Sequence, residues 1–403
     1  MLEGKKIHLV VSGGVAAYKA CHLARLFVKA GSRVRTSITK AGARFSTPLA
    51  FEALTGEKCV RSMWERDSPE IEHVSWASWA DLLVVAPATA DFIARAAGGL
   101  ASDFSLATLL AGARPTLFAP AMNSRMYQNP ATQRNLQTLK DLGHGVIEPD
   151  FGLLACGDLG LGRMPEPEEI LFRAAKVLAP PILLGKKILI TGGSTRENWD
   201  SVRFLANRST GRMAAALAEA AWLMGAKVSL ILGPSAVSPQ IKDPALEVSR
   251  VESATDLLKA VEDALKGQDA LFMAAAPADF RPEKRIEGKI KKTDPATPLS
   301  LPLARNPDIL KTIHPQKDKN TILVGFNADQ EELLAERALK KLKEKNLDYI
   351  VSNPATGPNS SFASDDTSFS LTKKGGRLLC KGESSKFAAA WIILRLVFSE
   401  PSF

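Results

Sequence analysis

Two stretches of nearly the same pattern constrain this chain more than any other feature. They are Gly4-Lys5-Lys6-Ile7-His8-Leu9-Val10-Val11-Ser12-Gly13-Gly14 and Gly185-Lys186-Lys187-Ile188-Leu189-Ile190-Thr191-Gly192-Gly193. In each, a basic pair leads into an apolar run too short for a helix, and the run ends in Ser or Thr and paired glycines. That pattern predicts a buried parallel strand, a tight turn and a following helix. Glycines in such a turn let backbone N–H groups approach a ligand, and the helix N-terminus behind them favours anions. A chain that begins this way twice is expected to hold two α/β domains, each a doubly wound parallel sheet. A doubly wound domain can also open this way and bind nothing, so the turns need further evidence.

The 403 residues, 45% of them hydrophobic, are enough for two cores. The net charge of +9 suggests anionic ligands. Its lysines and arginines are scattered, except over Lys284–Lys292 and Lys340–Lys345, and no aromatic-interleaved patch or nucleic-acid motif accompanies them. Small-molecule phosphates are therefore expected, and no nucleic acid. Cys21, Cys59, Cys156 and Cys380 are far apart with no CxxC spacing, which fits a reducing cytoplasm better than a disulfide framework or a zinc site. No secretory leader is expected from the first strand pattern, and no apolar run reaches membrane-spanning length.

In the first half, Ala16–Ala30 is expected as a helix and Val34–Thr39 as a strand. Further strands are expected at Asp81–Ala86, stopped by Pro87, and at Thr116–Ala119, stopped by Pro120. At the carboxyl edge of that sheet fall Ala86-Pro87-Ala88-Thr89-Ala90-Asp91, then Pro120-Ala121-Met122-Asn123, then the glycine-rich Ala155–Met164. The run Pro120–Tyr127, the upstream Glu72-His73-Val74 and the Ala155–Met164 loop resemble the flavin-dependent cysteine decarboxylases. The order and spacing are similar to the phosphopantothenoylcysteine decarboxylase half of the bifunctional coenzyme A enzymes. Tyr127 stands where that family often has Trp.

The resemblance implies a flavodoxin-like domain over residues 1–180 that binds FMN. There the thiol side of the substrate is oxidised to a thioaldehyde, carbon dioxide leaves, and a hydride is returned. It implies His73 as the base near the thiol, Asn123 as a donor to the departing carboxylate, and Cys156 as the group returning a proton. Ser12, Gly13, Thr39, Ala88 and Thr89 would cradle the flavin. Without the resemblance, His73 reads equally as a structural histidine, Cys156 as an inert thiol and Asn123 as a helix cap.

A helix over Glu168–Leu178 closes the first half, and Ala179-Pro180-Pro181 breaks it, which puts the boundary near 180. In the second half, strands are expected at Lys187–Thr191, Lys227–Leu232 and Asp269–Ala275, and helices at Ala214–Met224 and Glu331–Lys345. Neither a P-loop motif nor GxGxxG is present. Lys341 and Lys345 lie one turn apart on one helix face and could clamp a polyphosphate, although a charged run of this kind also reads as a solvated helix face.

This half resembles the phosphopantothenate–cysteine ligase domain, a Rossmann-like unit expected over 181–403. The resemblance implies that CTP activates the pantothenate carboxylate as an acyl-cytidylate, with Mg²⁺ sharing the phosphate charge, before cysteine attacks. It assigns nucleotide contacts to Met273, Ala274, Ala275, Asp279, Lys289, Asn306, Pro307, Asp308, Ile309, Phe326, Lys341 and Lys345, and turnover of the acyl-cytidylate to Asn207. Ser194, Ala214, Gln330 and Leu339 depart from the family pattern. The expectation is a fused cytoplasmic enzyme that uses 4′-phosphopantothenate, cysteine and CTP. It would assemble as a dodecamer of trimers and dimers, with FMN between subunits. The alternatives are a decarboxylase with an inactive nucleotide-binding half and a non-enzymatic flavin-binding partner. The metal ligands are left open.

Overall fold

The computed structural model of the chain describes residues 2–64, 72–112, 115–239, 241, 243–289, 300–355 and 364–399. The chain divides into two compact units, Met1–Ala179 and Pro180–Phe403.

In the first unit, the strands β1 (Lys6–Val11), β2 (Arg33–Ile38), β3 (Cys59–Val60), β4 (Leu82–Ala88), β5 (Thr116–Pro120) and β6 (Gly145–Val146) form one sheet in the order β3-β2-β1-β4-β5-β6. Every pairing is parallel. With the two-residue β3 set aside, the order is that of the flavodoxin-like doubly wound sheet. β1, β4 and β5 are buried almost end to end because helices cover both faces. The helix Ala17–Lys29 turns Ala20, Leu23, Ala24 and Phe27 inward at helical spacing. β4 runs through Pro87 to Ala88 instead of stopping before it. The ladder to β5 shifts register between Val85 and Ala88, so the missing proline donor falls in the irregular step. A separate antiparallel hairpin, β7 (Asp150–Leu153) and β8 (Leu159–Arg163), carries the glycine-rich loop.

In the second unit, β9 (Lys187–Gly192), β10 (Glu197–Asn198), β11 (Phe204–Leu205), β12 (Lys227–Leu232), β13 (Leu246–Arg250) and β14 (Ala270–Met273) come first along the chain. They are followed by β15 (Phe280–Pro282), β16 (Leu303–Arg305), β17 (Ile322–Asp329), β18 (Tyr349–Pro354), β19 (Asp366–Lys373) and β20 (Arg377–Ser385). The main sheet has the order β13-β12-β9-β14-β17-β18-β19-β20; β13 to β18 are parallel, and β19 and β20 add an antiparallel edge. One core joins Leu189, Leu271, Leu323 and Ile350 of the sheet to Leu257, Val261, Ala338 and Leu342 of helices.

Strand order reverses between β1 and β4 in the first unit and between β9 and β14 in the second. Each crevice lies beside one of the repeated glycine turns. A Cβ on Gly13 would stand 2.4 Å from Cβ of Ala41, and one on Gly192 would stand 2.2 Å from Cβ of Ala214. Both positions are glycine because a neighbouring alanine occupies the space that a Cβ would need.

Candidate active sites

A cavity of about 780 Å³ opens at the carboxyl edge of the first sheet, where Ser12, Gly13, Thr39 and Thr89 line it. Oγ of Ser12 donates to the Pro87 carbonyl at 2.7 Å and accepts from the Thr89 amide at 3.0 Å. It therefore pins the turn after β1 to the turn after β4. Thr89 caps the helix Ala90–Ala97 through its hydroxyl, and Oγ1 of Thr39 accepts from the Gly42 amide at 3.0 Å. Val15, Met122, Met126 and Leu154 supply apolar wall. Ala88 is fully buried in β4 and is not part of the wall.

Asn123 and Cys156 also line this cavity. Oδ1 of Asn123 accepts from the Arg125 amide at 2.8 Å and so caps the short helix Ser124–Gln128. Its Nδ2 donates to Sγ of Cys156 at 3.1 Å and to Oδ2 of Asp158 at 3.4 Å. The thiol in turn donates to the same Asp158 oxygen at 3.4 Å. One end of the Asn123 amide thus serves as the helix cap, and the other is free to face the Cys156 thiol. The hairpin approaches closely enough that a Cβ on Gly162 would stand 2.1 Å from the Met122 carbonyl oxygen. The glycine-rich sequence is what lets the loop carrying Cys156 reach Asn123.

His73 is elsewhere. It sits half-buried on the helix Glu72–Trp79 and does not line the cavity. That helix is fixed through Trp76, whose ring meets His8 edge-on at 5.1 Å and Phe104 at 5.2 Å. His8 is fully buried, with Nε2 2.8 Å from Oγ of Ser37; burial first, then the nearby Arg35 charge, pull its pKa from 6.5 to about 3. It is a neutral structural histidine.

Sequence reasoning gave no role to the charged groups here. Asp158 touches both Asn123 and Cys156, and a carboxylate two residues from the cysteine was its signal. Lys19, Asp91, Arg95 and Arg163 line the cavity wall, and Lys19 and Arg163 both pair with Glu166. Burial pushes the Glu166 carboxyl up, but hydrogen bonds and charge from Lys19 and Arg163 outweigh it and hold the group below its usual range.

In the second unit, the turn after β14 gathers the expected residues. Nδ2 of Asn207 donates to the Pro277 carbonyl at 2.9 Å. Nδ2 of Asn306 donates to the Ala278 carbonyl at 2.9 Å, and the Asn306 amide to the Asp279 carbonyl at 2.9 Å. Sδ of Met273 accepts from Oγ1 of Thr191 at 3.1 Å. Ala274 and Ala275 follow it, half-buried. Asp308, after the exposed Pro307, caps the short helix that begins at the buried Ile309, and it pairs with Lys345 at 3.1 Å. Nζ of Lys341 donates to the Phe326 carbonyl at 2.6 Å. Burial, then the neighbouring Lys345 ammonium, pull Lys341 from 10.5 to about 8 against Asp308, Asp279 and Asp329. This half-buried lysine feels charges from three segments far apart in sequence. Lys289 is exposed and is not among the charges acting on Lys341. The rest of its basic run, through Lys291 and Lys292, lies outside the described residues.

The departures from the family pattern have local accounts in two places. Ala214 packs on Gly192, and Leu339 approaches Gly376.

Two doubly wound units, each with candidate site residues near its switch point, define a two-domain α/β protein. The family model described as Flavoprotein matches residues 1–178, and the one described as DNA/pantothenate metabolism flavoprotein C-terminal domain matches 183–399. The coenzyme A biosynthesis bifunctional protein CoaBC of Bacillus subtilis (strain 168) is 43% identical over 380 residues, covering 93% of this chain and 92% of that protein. CoaBC of Vibrio cholerae (strain ATCC 39315) is 38% identical over 400 residues, 99% of each chain. CoaBC of Mycobacterium tuberculosis (strain CDC 1551) is 42% identical over 375 residues, covering 90% of this chain and 88% of that protein. The chain belongs to the CoaBC family of bifunctional coenzyme A biosynthesis proteins.

Proposed function

We propose that residues 181–403 join cysteine to 4′-phosphopantothenate at the cost of CTP, and that residues 1–180 decarboxylate the product to 4′-phosphopantetheine. The convergence of Asn123 and Cys156 on one cavity wall carries the reading. The cavity suits FMN in size, since ligand pockets run to roughly 300–1,000 Å³. Its lining suits FMN too: hydroxyls and close-approach glycines stand at one end, and apolar side chains form the wall. Ser12, Gly13, Thr39 and Thr89 would hold the flavin. Bound there, the flavin supplies the electron sink that decarboxylation of a cysteine amide requires.

The chain's own residues do the rest. The Asn123 amide orients the leaving carboxylate, and the Cys156 S–H, already hydrogen-bonded, gives its proton to the carbon that lost carbon dioxide. His73 takes the proton from the substrate thiol. Because His73 does not line the cavity of its own chain, we assign it to the site of a neighbouring subunit, consistent with flavin held between subunits.

In the second unit, Lys341 and Lys345 would face the triphosphate, and Asn207 would donate to the acyl oxygen as it gains charge. Asp279, Asn306 and the segment Pro307–Ile309 would frame the base and ribose. Mg²⁺ enters this reading as the counter-ion accompanying CTP; among the described residues no three His, Cys, Asp or Glu gather to hold a metal ion. A cytoplasmic dodecamer of trimers and dimers is part of the same reading. No helix of the described residues is long and apolar enough to cross a membrane.

The test is the purified protein with 4′-phosphopantothenate, cysteine, CTP and Mg²⁺. Pyrophosphate, carbon dioxide and 4′-phosphopantetheine are expected from a protein with a flavin absorption spectrum. Decarboxylation of supplied 4′-phosphopantothenoylcysteine with no ligation would leave only the first activity. A protein without flavin and without either product would overturn the whole reading.

A further inference from the structure

Beneath the turn that receives Asn207 lies a buried carboxylate that none of the assigned roles uses. Glu197 is 4% exposed and Thr195 1% exposed. Oε1 of Glu197 accepts from Oγ1 of Thr195 at 3.0 Å and from the Ala254 amide at 2.9 Å. Oγ1 of Thr195 accepts from the Ala278 amide at 3.0 Å. Three segments at the carboxyl edge of the sheet are therefore linked through Glu197 and Thr195: the loop after β9, the start of the helix Ala254–Leu265, and the turn after β14.

The order of donors and acceptors is fixed. A carboxylate oxygen can only accept, so the Thr195 hydroxyl must donate to it. That choice turns the hydroxyl lone pairs toward the Ala278 N–H, the one geometry in which the buried amide is satisfied. The same turn is held from above, where the Ala276 amide donates to the Gly193 carbonyl at 2.8 Å and Ser194 bridges to Ala276. Its outward groups are the ones the ligase reading needs: the Pro277 carbonyl receives Asn207, and Asp279 follows. Glu197 also lies opposite Leu205 in the β10–β11 pair, two residues before Asn207. One buried residue thus sits at the base of both partners of the Asn207–Pro277 contact.

We propose that Glu197, acting through Thr195, is a positioning residue for the second unit's reaction. It sets the turn Ala276–Asp279 and thereby the place of Asn207 and Asp279 against the acyl group and nucleotide. The inference rests on the ligase reading of that unit.

The experiment uses the full chain in four variants: Thr195→Val, Thr195→Ser, Glu197→Ala and Glu197→Gln. Hydrogen–deuterium exchange of the peptide spanning 274–280 reads the position of the turn without turnover. Ligase kcat and KM for CTP and for cysteine read its consequence. Decarboxylation of ready-made 4′-phosphopantothenoylcysteine by the same preparations controls for the rest of the chain.

Leaving a buried amide unsatisfied corresponds to roughly ten- to a hundredfold in an equilibrium. Thr195→Val and Glu197→Ala are therefore expected to speed exchange in 274–280 and to lower ligase kcat/KM by about tenfold or more. Thr195→Ser and Glu197→Gln, which keep the hydroxyl and the acceptor oxygen, should restore both to within about threefold, with decarboxylation unchanged throughout. Unchanged exchange in Thr195→Val and Glu197→Ala overturns the proposal, as does faster exchange with ligation intact. A parent protein that fails to ligate at all sinks the ligase reading instead, and that failure shows before any variant is made.

Discussion

The side-chain amide of Asn123 donates to Sγ of Cys156 across 3.1 Å, joining the end of β5 to a hairpin loop 33 residues further along the chain. Asp158 accepts from both partners through one oxygen. The amide donor on one side and the carboxylate acceptor on the other give the S–H a defined direction, as a proton donor requires. The cap that Oδ1 of Asn123 makes with the Arg125 amide stiffens the arrangement from the other side.

Replacing Cys156 by Ser should leave flavin binding and carbon dioxide release in place, because the residues assigned to those steps are untouched. The product should instead be released at the oxidised level, and the yield of aminothiol should fall by about tenfold or more. Product analysis by mass spectrometry decides it. Normal aminothiol yield from Cys156→Ser would remove Cys156 from the reaction.

His73 and Cys156 stand apart within one chain, so inactive variants of each should complement. A mixture of His73→Asn and Cys156→Ser chains, unfolded and reassembled together, should regain formation of the aminothiol product, which neither makes in normal yield alone. Light scattering on the parent is expected to give a mass far above that of two chains. A fully active monomer or dimer would contradict both parts of this expectation.

Asn207 and Lys289 are predicted to fail at different steps. A charge-assisted contact contributes about 1.5–3 kcal/mol, so Lys289→Gln should slow activation by roughly ten- to a hundredfold. Asn207→Asp should still activate but stall before cysteine attack. Quenched reactions with CTP, 4′-phosphopantothenate and Mg²⁺ should then show acyl-cytidylate and pyrophosphate for Asn207→Asp and neither for Lys289→Gln. If both stall without intermediate, Asn207 belongs to nucleotide binding.

Lys341 gives a pH dependence. Burial, reinforced by Lys345, lowers it to about 8, so its positive charge is lost as pH rises through that value. The unfolded chain holds the proton up to the ordinary lysine range, so this group makes folding more favourable as pH rises from about 8 toward 10.5. Nucleotide binding should move the opposite way. KM for CTP should climb above about pH 8 in the parent, and Lys341→Met should show a KM raised by about tenfold or more at neutral pH with that climb absent. An identical pH profile for parent and variant would exclude Lys341 from the phosphate site.

His8 gives the first unit an acid-dependent contribution to stability. Its folded pKa of about 3 lies below the unfolded value of 6.5. The unfolded chain therefore takes up the proton first, and stability present above about pH 6.5 is lost as pH falls toward 3. His8→Leu removes that titration. Urea unfolding followed by tryptophan fluorescence should show a shallower loss of stability between about pH 6.5 and 4 in the variant than in the parent. Equal slopes would mean that other groups dominate.

Local sequence was enough to place the central strands β1, β2, β4, β5, β9, β12 and β14, because buried parallel strands must be continuous apolar runs and tight βα turns must be glycine. Gly13 and Gly192 show why: a neighbouring Cβ sits where their own would go. The outer strands β13 and β17 to β20 were not read from it. The clusters around Asn123 and Cys156 were legible because both lie in long motifs of unusual residue types. Pro87 misled the strand boundary, since a register shift that hides a missing donor has no sequence signature.

What the sequence by itself determined is the strand–turn–helix repertoire and the chemical groups delivered to each sheet edge, since both depend on residue type and periodicity. Only the tertiary structure decided which of those groups meet. It put Asp158 against both Asn123 and Cys156, left His73 off the cavity wall, and set the half-buried Lys341 within reach of three aspartate charges. It also joined Glu197 to a turn 80 residues away through the hydroxyl of Thr195. Such pairings are set by strand order and by the need of each buried polar group for a partner, and neither is written in the neighbouring residues.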